Sequence, residues 1–333
     1  MAGIQKHKFR SIDNTGFGPN SNVEGGRLMN ADGSINLKKR GIPFWSRISI
    51  YHSLLRMKRS HFFLMILLFY TFINIFFAFL YFTIGVHNLM GVDNNVSVPY
   101  QFMEAFFFSS QTLTTVGYGH VAPSGMITNC VASAESLIGI LAFALVTGLM
   151  YGRFSRPRAY LMFSPNFLVS PYKNGKAIMF RIASYKNNHL TDVEATLTLA
   201  MHTVENNKNV TKFYPLNLEF AKINSLALSW TIVHHMDEES PLYNMTLEEI
   251  SANKIELIAA IKAFDDHFSN IVQQRTSYTY QQMIYGAKYL PMFERAVNGK
   301  STILELDKIN AHEPITFKEN IHNNNAANFA VNA

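Results

Sequence analysis

Two membrane-length apolar segments flank a third that is too short to cross a bilayer, and this arrangement leaves few folds open. Residues 61–84 contain no Asp, Glu, Lys or Arg and are dense in Phe, Leu and Ile; residues 126–152 carry Glu135 as their only charge. A spanning helix needs about 20 predominantly apolar residues. These segments are therefore expected to form an outer helix over 61–84 and an inner helix over 126–152. Between them, residues 101–114 hold Phe102, Ala105, Phe106, Phe107, Phe108 and Leu113, enough for a half-length helix that enters the membrane and stops. Irregular backbone at that depth is tolerated only where it is buried in protein or lines a watery path.

The residues just after the half-helix supply the chemistry. Thr114-Thr115-Val116-Gly117-Tyr118-Gly119 contains the Thr-Val-Gly-Tyr-Gly loop that, contributed by four subunits, replaces the hydration shell of potassium with backbone carbonyls. Successive carbonyls face one axis only if the chain takes backbone angles that most residues resist, and glycine accepts positive φ without a steric penalty. The expected filter is Thr115, Val116, Gly117, Tyr118 and Gly119, with potassium held at the carbonyls of Thr115, Val116, Gly117 and Tyr118. The Thr115 hydroxyl adds an oxygen at the inner mouth, and Tyr118 points away from the axis to brace the loop. Thr114 and Glu135 are the expected filter supports. An intramembrane carboxylate is costly and functional by default. Lying roughly 13 Å along the inner helix at 1.5 Å per residue, Glu135 is expected to bond the back of the filter rather than line the ion path. Two alternatives remain open at this point: a poorly selective cation channel on the same scaffold, and a membrane-anchored adaptor that conducts nothing.

Charge distribution sets the orientation. Residues 1–60 hold eleven Lys and Arg against three Asp and Glu, and Arg153, Arg156 and Arg158 come after the second span, whereas residues 85–125 hold no Lys or Arg. The positive-inside rule places both termini in the cytoplasm, giving a multi-pass protein of the cell's inner (plasma) membrane with no cleavable leader in view. The net charge of +6 clusters beside the membrane, where it meets anionic phospholipid, so nucleic acid is not an expected partner. Arg56, Lys58, Arg59, Arg153, Arg156 and Arg158 are the expected lipid-binding set. Cys130, the single cysteine, excludes an intrachain disulfide and is expected as a small buried residue. Phe44, Trp45, Ile48, Tyr51, Leu54 and Leu55 recur at helical spacing and Pro43 fits a first turn, an amphipathic pattern for an interfacial helix over 41–59.

Beyond about residue 160 the pattern changes period. Val193, Ala195, Leu197, Leu199 and Met201 alternate with mostly polar residues, as a half-buried strand requires. Similar runs at 177–183, 213–220, 227–235, 254–264 and 303–306, separated by turn-prone clusters, predict a β-sandwich. Thr246 with Glu249 three residues on reads as a capping box. His234 and His235 beside Asp237, Glu238 and Glu239 invite a metal site, but adjacent strand residues face opposite sides; a solvated loop with strand-end histidines is expected. No enzyme and no cofactor are expected, the permeant potassium ion aside.

The residues 105–119 and the run Ser229-Trp230-Thr231-Ile232-Val233-His234-His235-Met236-Asp237-Glu238-Glu239-Ser240-Pro241-Leu242-Tyr243, extended by Arg275-Thr276-Ser277-Tyr278 and Ile284-Tyr285-Gly286, resemble the inward-rectifier potassium channels, and most of all their prokaryotic branch, over about residues 38–310. The resemblance implies a homotetramer: a two-span α-helical pore module with re-entrant pore helix and filter, and a C-terminal cytoplasmic all-β immunoglobulin-like sandwich extending the pore. It implies a slide helix (41–59), a pore domain (60–155) and a sandwich (156–310), flanked by an expected flexible N-terminus (1–40) and an Asn-rich tail expected to be disordered (311–333). It implies a main gate at Tyr151, with Phe143 as a second gate residue, a hinge at Gly139 and a second constriction over 262–269. Phe143 stands where some members carry an acidic residue, so strong rectification by that route is not expected. Gln111 and the absent second cysteine depart from the eukaryotic pattern.

Overall fold

The computed structural model describes residues 11–12, 16–17, 27–41, 43, 49–93, 95–205, 208–296 and 299–317. The chain divides into two compact units, Met1–Lys38 with Pro157–Ala333, and Lys39–Arg156. Parts of three expected segments, the slide helix at Phe44, Trp45 and Ile48, the N-terminus and the tail after residue 317, lie outside the described residues.

In the second unit a short helix, α1 (Ile50–Arg56), starts where the Ser49 hydroxyl accepts the His52 amide. The outer helix α2 (Arg59–Ile84) ends at Gly85 with φ 107, an angle glycine takes without strain. A two-residue strand β1 (Leu89–Met90) precedes the pore helix α3 (Val98–Leu113), which begins three residues before the expected 101. Pro99 accounts for the earlier start: at the second helical position its missing N–H costs nothing and its fixed φ suits a first turn. After the filter, β2 (Ala122–Pro123) leads to the inner helix α4 (Met126–Phe154), two residues longer than expected. Both long helices are apolar enough to cross a membrane, and the fold is that of a two-span pore module. Cys130 is exposed on the single chain.

The first unit is a sandwich. Its strands are β3 (Leu161–Phe163), β4 (Phe167–Tyr172), β5 (Gly175–Ser184), β6 (Leu190–Glu205), β7 (Lys208–Leu216), β8 (Lys222–Ser225), β9 (Ser229–His235), β10 (Glu256–Asp265), β11 (Asn270–Thr279), β12 (Met283–Tyr285), β13 (Ala287–Tyr289), β14 (Phe293–Arg295), β15 (Thr302–Leu304) and β16 (His312–Pro314), with α5 (Leu247–Ala252) between β9 and β10. One five-stranded sheet runs β11-β10-β6-β7, with β8 also on β6; the other runs β12-β4-β5-β3, with β9 also on β5. Val193, Ala195, Leu197 and Leu199 of β6 pack with Phe167, Val169, Ile178, Phe180 and Ile182 of the facing sheet, all buried. The capping box forms at Thr246 and Glu249. Two expected runs are shorter than their apolar pattern: β7 stops at Leu216, and residues from Leu306 turn into a 3-10 helix.

The N-terminus requires a correction. Residues 28–36 form a hairpin closed by Met29 against Ile35, not a loose segment. The amides of Leu28 and Met29 donate to Glu256 Oε2 and Oε1 at 2.6 and 3.0 Å, and the Ser277 hydroxyl donates to the Met29 carbonyl. Leu28, Phe213 and Ala200 then bury one another. Ala200 is an outward-facing position of β6, which alternation alone would assign to solvent.

Candidate pore and selectivity filter

Why the filter loop leaves the helix is visible in its hydrogen bonds. Thr114 caps α3, its hydroxyl donating to the Ser110 carbonyl at 2.7 Å. The next amides fold back onto the same helix end: Thr115 donates to the Thr112 carbonyl (3.1 Å), and Val116 and Gly117 both donate to that of Gln111 (2.9 and 3.3 Å). The amides are thereby turned toward the pore helix, and among the described residues no donor reaches the carbonyls of 115–118. Left-handed φ recurs at every second residue, 59° at Thr115, 52° at Gly117 and 80° at Gly119. A chain that alternates handedness in this way can set consecutive carbonyls along one side, which ordinary extended strand does not. Gly117 and Gly119 take these angles freely, whereas Thr115 holds αL at a cost of about 1–2 kcal/mol. Glycine content revealed the first two positions; nothing in the sequence marked the third. Tyr118 is 79% exposed on the single chain.

The outer end of the loop is pinned. Leu89 pairs with Pro123 and Met90 with Ala122, and the Ser124 amide donates to the Asn88 carbonyl. Gly91, at φ 94, lies so close to the His120 carbonyl that a Cβ there would collide with it. Gly91 carried no signal in the sequence beyond being a glycine in a loop.

Behind the filter, Glu135 is fully buried. Its Oε1 lies 2.5 Å from the Ser109 Oγ of α3, and its Oε2 accepts from the Tyr81 hydroxyl of α2 at 2.6 Å. The Ser109 Oγ is also 3.1 Å from Asn74 Oδ1, and Asn74 Nδ2 donates to the Tyr70 carbonyl at 2.7 Å. A second tie joins the Tyr70 hydroxyl to Ser110 at 2.5 Å. The carboxylate and Asn74 stood out as polar residues in apolar helices; Tyr81 and Ser109 were hidden among residue types common at membrane depth. Gly139 lies in an unbroken α4, and a Cβ there would strike the Leu113 carbonyl at the end of the pore helix. The position expected as a hinge makes a close-packing contact here. A cavity of about 470 Å³ opens beside it, lined by Phe69 and Ile73, by Thr114 and Thr115, and by Ala142 and Phe143. Phe143 and Tyr151 are 76% and 74% exposed on the single chain.

The expected lipid set divides. Arg56, Lys58, Arg59, Arg156 and Arg158 are exposed. Arg153 is not free for a headgroup: its guanidinium donates to the carbonyls of Leu54 and Met57 and sits 4.4 Å over the Phe62 ring. A planar five-donor fork suits the carbonyl-rich end of a helix, and α1 ends there.

The histidine pair in β9 also requires correction. His234 is buried rather than solvated, with Nδ1 2.7 Å from the Asn217 carbonyl and Nε2 2.8 Å from the Ser240 hydroxyl. Burial pushes its pKa below the ordinary value, the Asn217 carbonyl acting in the opposite sense. His235 faces the other way, edge-on to Tyr172. Among the described residues no group of three His, Cys, Asp or Glu could hold a metal.

Both units match known protein families. The family pattern described as inward rectifier potassium channel C-terminal domain matches residues 161–327, and one described as ion channel matches residues 64–156. The inward rectifier potassium channel Kirbac3.1 of Paramagnetospirillum magnetotacticum is 29% identical over 279 residues, covering 83% of this chain and 92% of its own length. G protein-activated inward rectifier potassium channel 4 of Bos taurus is 25% identical over 209 residues, 57% of this chain and 48% of that protein. Among solved structures, the sporulation control protein Spo0M of Bacillus subtilis shares a TM-score of 0.23 and 8% identity over 37% of this chain and 49% of that one, too little to carry an argument.

Proposed function

The chain belongs to the inward rectifier potassium channel family, and from that premise we propose that four copies surround one pore in which potassium passes carbonyls of Thr115, Val116, Gly117 and Tyr118 in single file. It is a channel and not an enzyme. The observation that carries the proposed site is the alternating left-handed φ at residues 115, 117 and 119, combined with amides that point back at the pore helix. Carbonyls so freed supply neutral oxygens that an ion can both enter and leave. The C-terminal end of α3 adds the negative end of its dipole on the cavity side, which favours cations.

Thr114 and Glu135 support the loop, the first by capping the pore helix and the second by tying it to the inner helix. Tyr151 is the proposed main gate and Phe143 a second narrowing, each bulky, aromatic and uncovered in one copy, suited to closing a path by bulk and by dewetting. Both termini lie on the cytoplasmic side, by the excess of Lys and Arg there, in the cell's inner (plasma) membrane. Anionic phospholipid is the proposed regulator, through Arg56, Lys58, Arg59, Arg156 and Arg158, each contributing about 1 kcal/mol near an anionic surface. A membrane-anchored adaptor would have no use for the alternating backbone of residues 115–119.

Potassium-loaded proteoliposomes test the reading. The wild-type protein should release potassium and be blocked by barium. Gly117→Ala forces a Cβ into left-handed backbone at a cost of about 1–2 kcal/mol per subunit, and should abolish flux while leaving the assembly intact. Wild-type vesicles that retain potassium would overturn the reading.

A further inference from the structure

The Ser109 hydroxyl carries one hydrogen, yet its Oγ lies within bonding distance of two oxygens, Glu135 Oε1 at 2.5 Å and Asn74 Oδ1 at 3.1 Å. Ionised, Glu135 could only accept. The single Ser109 hydrogen would then satisfy one neighbour, and the other contact would press two lone pairs together where Asn74, Ser109 and Glu135 are all fully buried. An unpaired polar atom at such a place is costly.

Two other arrangements fail as well. Turning the Asn74 amide over would bring its oxygen to the position 2.7 Å from the Tyr70 carbonyl, which has no hydrogen to give. A proton on Oε2 would go to Tyr81, leaving the Ser109 hydrogen to serve Oε1 and Asn74 Oδ1 again without a donor. One arrangement closes. The Tyr81 hydroxyl donates to Oε2, a proton on Oε1 is donated to Ser109 Oγ, the Ser109 hydroxyl donates to Asn74 Oδ1, and Asn74 Nδ2 donates to the Tyr70 carbonyl.

We propose that Glu135 is a neutral carboxylic acid in the folded channel, the donor in the middle of a one-way hydrogen-bond chain from Tyr81 through Ser109 and Asn74 to the Tyr70 carbonyl. This rests on the reading of Glu135 as a filter support and adds the protonation and direction of that support. The chain joins the outer, inner and pore helices by O–H donors rather than by an ion pair, and chains of hydrogen bonds polarise and strengthen one another in a low-dielectric site. It also leaves no fixed charge behind the filter, so a permeating cation meets only neutral oxygens there. Glu135 is a positioning residue in this scheme, acting on the filter through Ser109.

Infrared difference spectroscopy on the reconstituted full-length channel at neutral pH tests the proton directly. Wild type minus Glu135→Gln should show the carbonyl stretch of a protonated carboxylic acid; an ionised carboxylate pair of bands in its place would overturn the proposal. Should Glu135→Gln fail to assemble, wild type grown with isotope-labelled glutamate gives the same readout, with a buried acid band that resists exchange as the expected result. Function supplies the second arm. Gln offers a donor to Ser109 and an acceptor to Tyr81, so it should recover most of the flux that Glu135→Ala loses, a loss of about tenfold for the removed bonds. Glu135→Gln as impaired as Glu135→Ala would contradict the proposal. Absent potassium flux in wild type would remove the channel reading, and the spectrum would still decide where the proton is.

Discussion

At the scale of single residues, the pore is built from backbone rather than side-chain chemistry. Within the single chain Gly117 and Gly119 have nothing in front of them that a Cβ would meet, and their left-handed φ makes a conformational requirement. Gly139 is the opposite case: its φ is ordinary helix, and its requirement is the Leu113 carbonyl against it. The two kinds of glycine separate experimentally. Gly139→Ala must push the inner helix off the end of the pore helix. Overpacking of this kind costs about 1–3 kcal/mol; the expected outcome is a lower melting temperature of the detergent-solubilised assembly together with reduced flux. A melting temperature equal to wild type would mean that the contact gives way freely. Gly139 was legible as a small residue of an inner helix, but whether smallness served bending or packing is decided by what lies across from it, which no pattern along one helix contains.

At the scale of elements, the junction of α1 and α4 is the most consequential departure from the basic-residue reading. Arg153 sits among five other cations that looked alike by position, yet its guanidinium is spent on the carbonyls of Leu54 and Met57 and the face of Phe62. Hydrogen bonds from a charged donor are worth about 1.5–3 kcal/mol each. Arg153→Ala is expected to free α1, seen as faster amide exchange over residues 50–56, without changing the response to anionic lipid. Replacing Arg56, Lys58 and Arg59 together should do the reverse, weakening the dependence of flux on the anionic lipid fraction while leaving exchange in α1 unchanged. The elements themselves were legible where one period ran unbroken, as in the two spans and β6. Ends were less so: β7 stops four residues before its apolar run does, and beyond Leu216 the half-buried Leu218 still packs against the core while Phe220 is exposed. Ala200 shows the complementary limit, a residue on the outward face of β6 that is buried because a distant hairpin covers it.

At the scale of the whole molecule, the hairpin at 28–36 is held to the sandwich from far along the chain. The carboxylate of Glu256, 2% exposed, is the anchor of the hairpin at 28–36, and its removal leaves two amides without acceptors. Glu256→Ala should loosen the hairpin by about 3 kcal/mol and open the bond after Arg27 to trypsin in the folded protein; resistance equal to wild type would show that Ser277 and Thr276 suffice. This pairing across more than two hundred residues was invisible in sequence, since a lone Glu at the start of a strand looks like any solvated one. Fold class and family were legible because the half-length helix, the glycine loop and the β9 motif admit few other combinations. Neutral peptide oxygens from residues 115–118 are the proposed means of discriminating potassium from the smaller sodium ion. Reversal potentials of the purified protein in planar bilayers, with potassium on one side and sodium on the other, test it most directly. The expected wild-type reversal potential lies close to the potassium equilibrium value, with no current in Gly117→Ala. A wild-type reversal near zero, with sodium carrying current as readily as potassium, would contradict it.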